Sequence, residues 1–212
     1  SLPVLPRIWI ITDPDHPDGP VDPIRRALVG CAPGRVGVQL RAKRASDRQL
    51  VAWGKDLREL TSQAGAPLTI NRRPDVAQIV AADGVHLPER GLQPDEVSRH
   101  WPGIGLIGVS RHTGAGLRKA EERGASYAFL SPVFEVPGKG SPMGIEGFSQ
   151  AIEGVGIPTF ALGGLSREHI AELMRAGAWG IAVRRAIYAS SEPDEALGGL
   201  VRELDKSARG GE

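Results

Sequence analysis

Eight short runs rich in β-branched and apolar residues recur along this chain, and each is followed by a segment that reads as a helix. The runs are RIWIITD (7–13), GRVGVQLRAK (34–43), PLTIN (67–71), GVHL (84–87), LIGVS (106–110), YAFLSPVF (127–134), PTFAL (158–162) and WGIAV (179–183). Helix signals fill the intervals. Ser46 opens a helix that Gly65 stops, Pro74 takes a first-turn position, and Ser166 begins a helix closed at Gly177. The others are read at 24–29, 94–100, 116–124, 145–153 and 193–206. Strand and helix in alternation, with short connections, predict a parallel sheet. Eight such units predict its closure into a single (β/α)8 TIM barrel. An open doubly wound sheet would satisfy the same periodicity. At 212 residues the chain sits at the lower end of what such a barrel requires, with no linker dividing it, so one domain over 1–212 is expected and the tail 207–212 is expected to fray.

Charge narrows the partners. With 26 Lys and Arg against 25 Asp and Glu, the net charge of +1 sets up no long-range field towards nucleic acid or a membrane surface, so any anion binding must be local. A single cysteine, Cys31, excludes an internal disulfide and a Cys-based zinc site, and it reads as a small buried hydrophobe. No leader-like segment and no long apolar run is seen, so the expected location is the cytoplasm. Assembly into a homo-oligomer is left open.

In parallel barrels the chemistry lies at the carboxyl ends of the strands. The second run ends in three long polar side chains, Gln39, Arg41 and Lys43, which share one face opposite Val38 and Leu40. Two cations and an amide in one small volume suit a phosphate or pyrophosphate, although a polar strand end meeting solvent would look the same in isolation. The other strand ends contribute Asp13, Asn71, His86, Ser110, Ser131, Gly163 with Gly164, and Arg184 with Arg185. Gly163 and Gly164 precede a Ser-capped helix, where bare N–H groups can receive phosphate oxygens. The segment 135–144, with three glycines, two prolines and Lys139, is expected to be a mobile loop. Glu135 would be a general base if it points into the mouth and a solvated carboxylate otherwise.

The segments QLRAK (39–43), INRR (70–73), ADGVHL (82–87), IGVSRHT (107–113), YAFLSPVF (127–134), ALGGL (161–165) and GIAV (180–183) resemble thiamin phosphate synthase and its TenI relatives, in order and at seven of the eight strand ends. The resemblance implies the (β/α)8 fold and small phosphorylated thiazole or pyrimidine ligands. The synthase joins hydroxymethylpyrimidine diphosphate to thiazole phosphate and expels pyrophosphate with Mg²⁺. TenI proteins isomerise a thiazole phosphate carboxylate without needing metal. Carried over, Gln39, Arg41 and Lys43 would hold the pyrophosphate and pyrimidine end, Asn71 and Ser110 the pyrimidine, Lys139 the diphosphate, and Gly163 and Gly164 the thiazole phosphate. Lys43, Ser110 and Glu135 are the candidates for catalysis.

Departures from the synthase pattern point to TenI-like character. Arg72 and the run Pro88–Gly91 stand where the resemblance would place metal carboxylates, so no metal site and no cofactor are expected, with Mg²⁺ entering only under a synthase reading. Val136 and Gly138 replace threonines of the strand-six loop. HLPERGL and Val133–Glu135 look more like TenI, yet Pro132 stands where the TenI histidine would be and cannot transfer a proton. Arg184 and Arg185 replace an apolar residue and a serine; they would add bidentate phosphate ligands or point outward into ion pairs. His86 and His112 read as structural. A working synthase and a phosphate-binding paralogue without turnover are the alternatives.

Overall fold

The computed structural model describes residues 4–209, and in it eight parallel strands close on themselves in chain order. They are β1 (Ile8–Ile11), β2 (Val36–Leu40), β3 (Leu68–Asn71), β4 (Gly84–Leu87), β5 (Leu106–Arg111), β6 (Tyr127–Leu130), β7 (Thr159–Leu162) and β8 (Gly180–Val183). Ile8 aligns with Val36 of β2 on one side and Ile181 of β8 on the other, which closes the ring and rules out the open sheet.

The helices are α1 (Asp22–Ala27), α2 (Asp47–Ala64), α3 (Pro74–Ile79), α4 (Pro94–His100), α5 (Gly114–Glu122), α6 (Gly144–Ile152), α7 (Ile170–Arg175), α8 (Arg185–Tyr188) and α9 (Pro193–Arg209). Their ends follow local chemistry. Ser46 and Gln49 form a reciprocal capping box at the start of α2, and Gly65 ends that helix in the left-handed conformation, at φ +61°, that glycine adopts without strain. Pro94 occupies the first turn of α4, where no N–H is needed.

Several boundaries differ from the sequence reading. β2 stops at Leu40 and β6 at Leu130, so Arg41, Lys43 and Ser131 lie just beyond strands rather than in them. The four-residue α8 has too few residues to show a period. Helix α9 continues through Arg209, with Ser207 Oγ donating to the Glu203 carbonyl at 2.9 Å, so residues 207–209 are helical where fraying was expected; residues 210–212 lie outside the described residues.

The register sorts side chains between two layers. Ile8, Ile10, Val36, Val38, Leu68 and Ile70 face outward and pack beneath the helices, all essentially without exposure. The inward set includes Trp9, Tyr127, Phe129 and Phe160, which fill the barrel. Trp9 stacks on Tyr127 with centroids 5.1 Å apart, and Gly37, aligned with Trp9, leaves room for its ring: a Cβ there would lie 2.7 Å from the indole. The barrel is therefore a packed core whose upper rim is held in fixed geometry.

Candidate active site

Gln39 is the last inward-facing residue of β2 and is almost completely buried, aligned with Ile11 and Thr69. Beyond the strand the alternation continues: Ala42 is buried, while half-buried Arg41 and exposed Lys43 turn away from it. The Arg41 N–H donates to Thr12 Oγ1 at 2.9 Å, which ties the β2 end to the β1 end. Asn71 closes β3 half-buried beside His86. Arg72 follows at φ +66°, a left-handed backbone rare for a residue with a side chain, with its N–H held by the His86 carbonyl at 2.9 Å.

These cations feel one another. Burial, then the charges of Arg184 and Arg72, pull the Arg41 guanidinium below its ordinary pKa. Arg41, then partial burial, Arg72 and Lys139, do the same to the Lys43 ammonium. Residues from the ends of β2, β3 and β8 and from the β6–α6 loop therefore share one electrostatic neighbourhood. None of these five side chains is in an ion pair among the described residues, whose pairs lie elsewhere. Like charges gathered without counter-charges raise the free energy of the empty mouth, and an anion would lower it.

Across the mouth, Gly163 and Gly164 follow β7 at φ +107° and +64°. A Cβ on Gly163 would lie 2.9 Å from Pro132 Cα and one on Gly164 2.6 Å from the Glu135 carbonyl oxygen, so the pair is required by close packing beneath the β6–α6 loop. Among the described residues their N–H groups serve no backbone carbonyl, while the Gly163 carbonyl accepts from Phe134 N–H at 3.0 Å.

Ser110, half-buried and inward-facing, bonds through Oγ to His86 Nε2 at 2.8 Å, and His86 Nδ1 lies 3.3 Å from the Tyr127 hydroxyl. Full burial, then Arg111 and Arg41, push the His86 pKa down to about 3, so the imidazole is neutral and orients the serine hydroxyl. Arg111, absent from the sequence candidates, is 4% exposed and donates to the Ser110 carbonyl at 2.8 Å and to Gln93 Oε1 at 3.0 Å, bracing Ser110 from behind. Its sequence signal was its place directly after the inward Ser110.

Other candidates stand apart. Arg185 is exposed on α8 and has no part in the charge effects on Arg41 or Lys43, and the exposed Glu135 side chain makes no ion pair among the described residues. Two further carboxylates sit near the mouth: Asp13 Oδ1 accepts the Asp15 N–H at 3.0 Å, and Glu89 Oε2 lies 3.9 Å from His112 Nε2. Among the described residues no three His, Cys, Asp or Glu side chains gather closely enough to hold a metal ion. Burial raises the Cys31 thiol pKa, so this half-buried group is a poor nucleophile.

The family profile described as Thiamine monophosphate synthase matches residues 8–187. The chain belongs to this thiamine monophosphate synthase family. The match spans every strand end from β1 to β8 and so contains all the residues placed at the mouth. Among curated relatives, a "Putative thiamine-phosphate synthase" of Geobacter sulfurreducens is 38% identical over 206 residues, covering 95% of this chain and 96% of its own. A "Thiamine-phosphate synthase" of Chloroflexus aurantiacus is 38% identical over 191 residues, covering 88% and 87%. Among solved structures, a thiamine phosphate pyrophosphorylase from Pyrococcus furiosus superposes with a TM-score of 0.88 at 30% identity, covering 98% of this chain and 99% of that one. A 3-hexulose-6-phosphate synthase with a TM-score of 0.72 and 13% identity shares the barrel alone. Among the described residues no helix of this family member is long and apolar enough to cross a membrane.

Proposed function

We propose that this chain is a working synthase, one barrel domain acting in the cytoplasm, that joins hydroxymethylpyrimidine diphosphate to thiazole phosphate and releases thiamin phosphate and pyrophosphate. This departs from the TenI-like expectation. The relatives above carry the synthase name over nearly the whole chain, and Pro132 has no exchangeable proton with which to isomerise a ring. The observation that carries the reading is the gathering of Arg41, Lys43, Arg72, Lys139 and Arg184 at one mouth, none of them in an ion pair among the described residues.

In the reaction the bond from the pyrimidine methylene carbon to the diphosphate oxygen breaks, its electron pair leaves with pyrophosphate, and the carbon joins the thiazole. Negative charge grows on the leaving oxygen, and Arg41, Lys43 and Lys139 stabilise it at a site already arranged to receive it. Gln39, Asn71 and Ser110 line the inner wall, where Ser110, oriented by neutral His86, can hydrogen-bond the pyrimidine. The N–H groups of Gly163 and Gly164 take the thiazole phosphate.

The magnesium implied by the resemblance does not fit these residues. Mg²⁺ takes hard oxygen ligands in near-octahedral array, whereas this mouth offers mainly guanidinium and ammonium groups, and its two carboxylates, Asp13 and Glu89, belong to no cluster of three metal-ligating side chains among the described residues. Incubation with both substrates tests the proposal: thiamin phosphate should form, and tautomerase turnover or binding of thiazole phosphate with no product would overturn it.

A further inference from the structure

Beside the cation cluster, at the ends of β3 and β4, a pocket of about 170 Å³ is lined by Arg72, Leu87, Pro88, Arg90, Gly91 and Leu92. Its volume is many times what one water needs. Arg72 belongs to both places, since it lines this pocket and its charge reaches Arg41 and Lys43. The next residue in the chain shows what an arginine does when the fold employs it structurally: Arg73 grips Asp47 and Asp75, each at 2.7 Å. Arg72 and Arg90 have no such partner among the described residues. The left-handed backbone at Arg72 is a conformation that costs about 1 kcal/mol or more for a residue with a side chain, and here it falls at a residue that lines the pocket.

We propose that this pocket is an anion subsite that takes the distal phosphate of a diphosphate directly on Arg72 and Arg90, the two guanidinium groups filling the role of a divalent cation. Two guanidinium groups carry the same +2 charge as such an ion and need no oxygen ligands from the protein. Each presents a planar fork that matches two phosphate oxygens. The buried side chain of Leu87 and the half-buried Leu92 wall the pocket with apolar surface, which strengthens charge-assisted hydrogen bonds formed there. A magnesium-bound diphosphate carries less negative charge, so the same pocket should hold it less well than the free anion. That the diphosphate belongs to a pyrimidine rests on the function proposed above; the subsite itself does not.

Calorimetric titration of the full chain with inorganic pyrophosphate, in EDTA and then in excess Mg²⁺, tests this. Pyrophosphate should bind in EDTA at least as tightly as in Mg²⁺. Arg72→Asn, chosen because asparagine tolerates the left-handed backbone, and Arg90→Gln on the exposed turn should each weaken binding about tenfold or more. Arg72→Lys should recover part of the loss. Pyrophosphate that binds only with Mg²⁺, or binds both variants as it binds the parent, would overturn the subsite. A parallel assay with both substrates separates the two proposals: metal-free, Arg72-dependent pyrophosphate binding without thiamin phosphate formation would sustain the subsite and overturn the synthase reading.

Discussion

The interior of the barrel and its carboxyl-end rim lie a few residues apart along the same strands, yet they handle charge in opposite ways. Inside, Trp9, Tyr127, Phe129 and Phe160 interlock, and the one imidazole among them, His86, is held neutral by burial and satisfied by two hydroxyl groups. At the rim, five cations stand together with no ion-pair partner among the described residues, and the charges around Arg41 and Lys43 lower those two groups' affinity for protons. The interior is arranged for the stability of the empty protein. The rim tolerates repulsion that a ligand would relieve, and that difference marks where binding should occur.

The contrast can be broken most strongly from the inside by acid. The His86 pKa is pushed down to about 3 in the folded chain against about 6.5 when unfolded, so below pH 6.5 the unfolded chain takes the proton first. Its contribution is complete above pH 6.5 and is lost as pH falls towards 3, the loss reaching on the order of 5 kcal/mol at the acid limit. Urea titrations across this range should show the slope, and His86→Gln should flatten it. Next in size is Gly180→Ala, whose added carbon would collide with the Arg7 carbonyl oxygen just before β1, with an expected loss of about 3 kcal/mol by urea denaturation.

At the rim the same kind of experiment should give the opposite pattern. Arg41→Ala and Lys43→Ala should each weaken calorimetric binding of thiazole phosphate or pyrophosphate by about 1.5–3 kcal/mol, the range for lost charge-assisted hydrogen bonds. The smallest effect sharpens the comparison most: Lys43→Ala should leave the ligand-free protein as stable as the parent or raise its stability by about 0.3 kcal/mol, because an exposed like-charge contact is screened but unfavourable. A clear drop in thermal stability would place Lys43 among the structural cations.

The barrel was legible because each element announced its own period. GVHL (84–87) and the segment 94–100 coincide with β4 and α4 to the residue, and Ser46 and Gly65 cap α2 as read. Much of the cation cluster was also legible, since Gln39, Arg41 and Lys43 alternate in the chain. What escaped depends on tertiary placement. Arg111 reads as one more basic residue after a strand, and only the neighbouring Gln93 makes it a buried brace behind Ser110. Arg90 gains interest only when the β3 and β4 ends bring it into a pocket with Arg72. Arg184 and Arg185 are adjacent in the chain, yet only Arg184 is among the charges that lower Arg41. Sequence spacing alone could not separate them.

The most direct measurement is a crystal structure of the protein grown with pyrophosphate and thiazole phosphate together. Both phosphorylated groups should occupy one continuous mouth, the first held by Arg41, Lys43 and Arg72 and the second by the N–H groups of Gly163 and Gly164. Phosphate groups scattered over separate surfaces, or a magnesium ion held at the rim by protein carboxylates, would contradict the account.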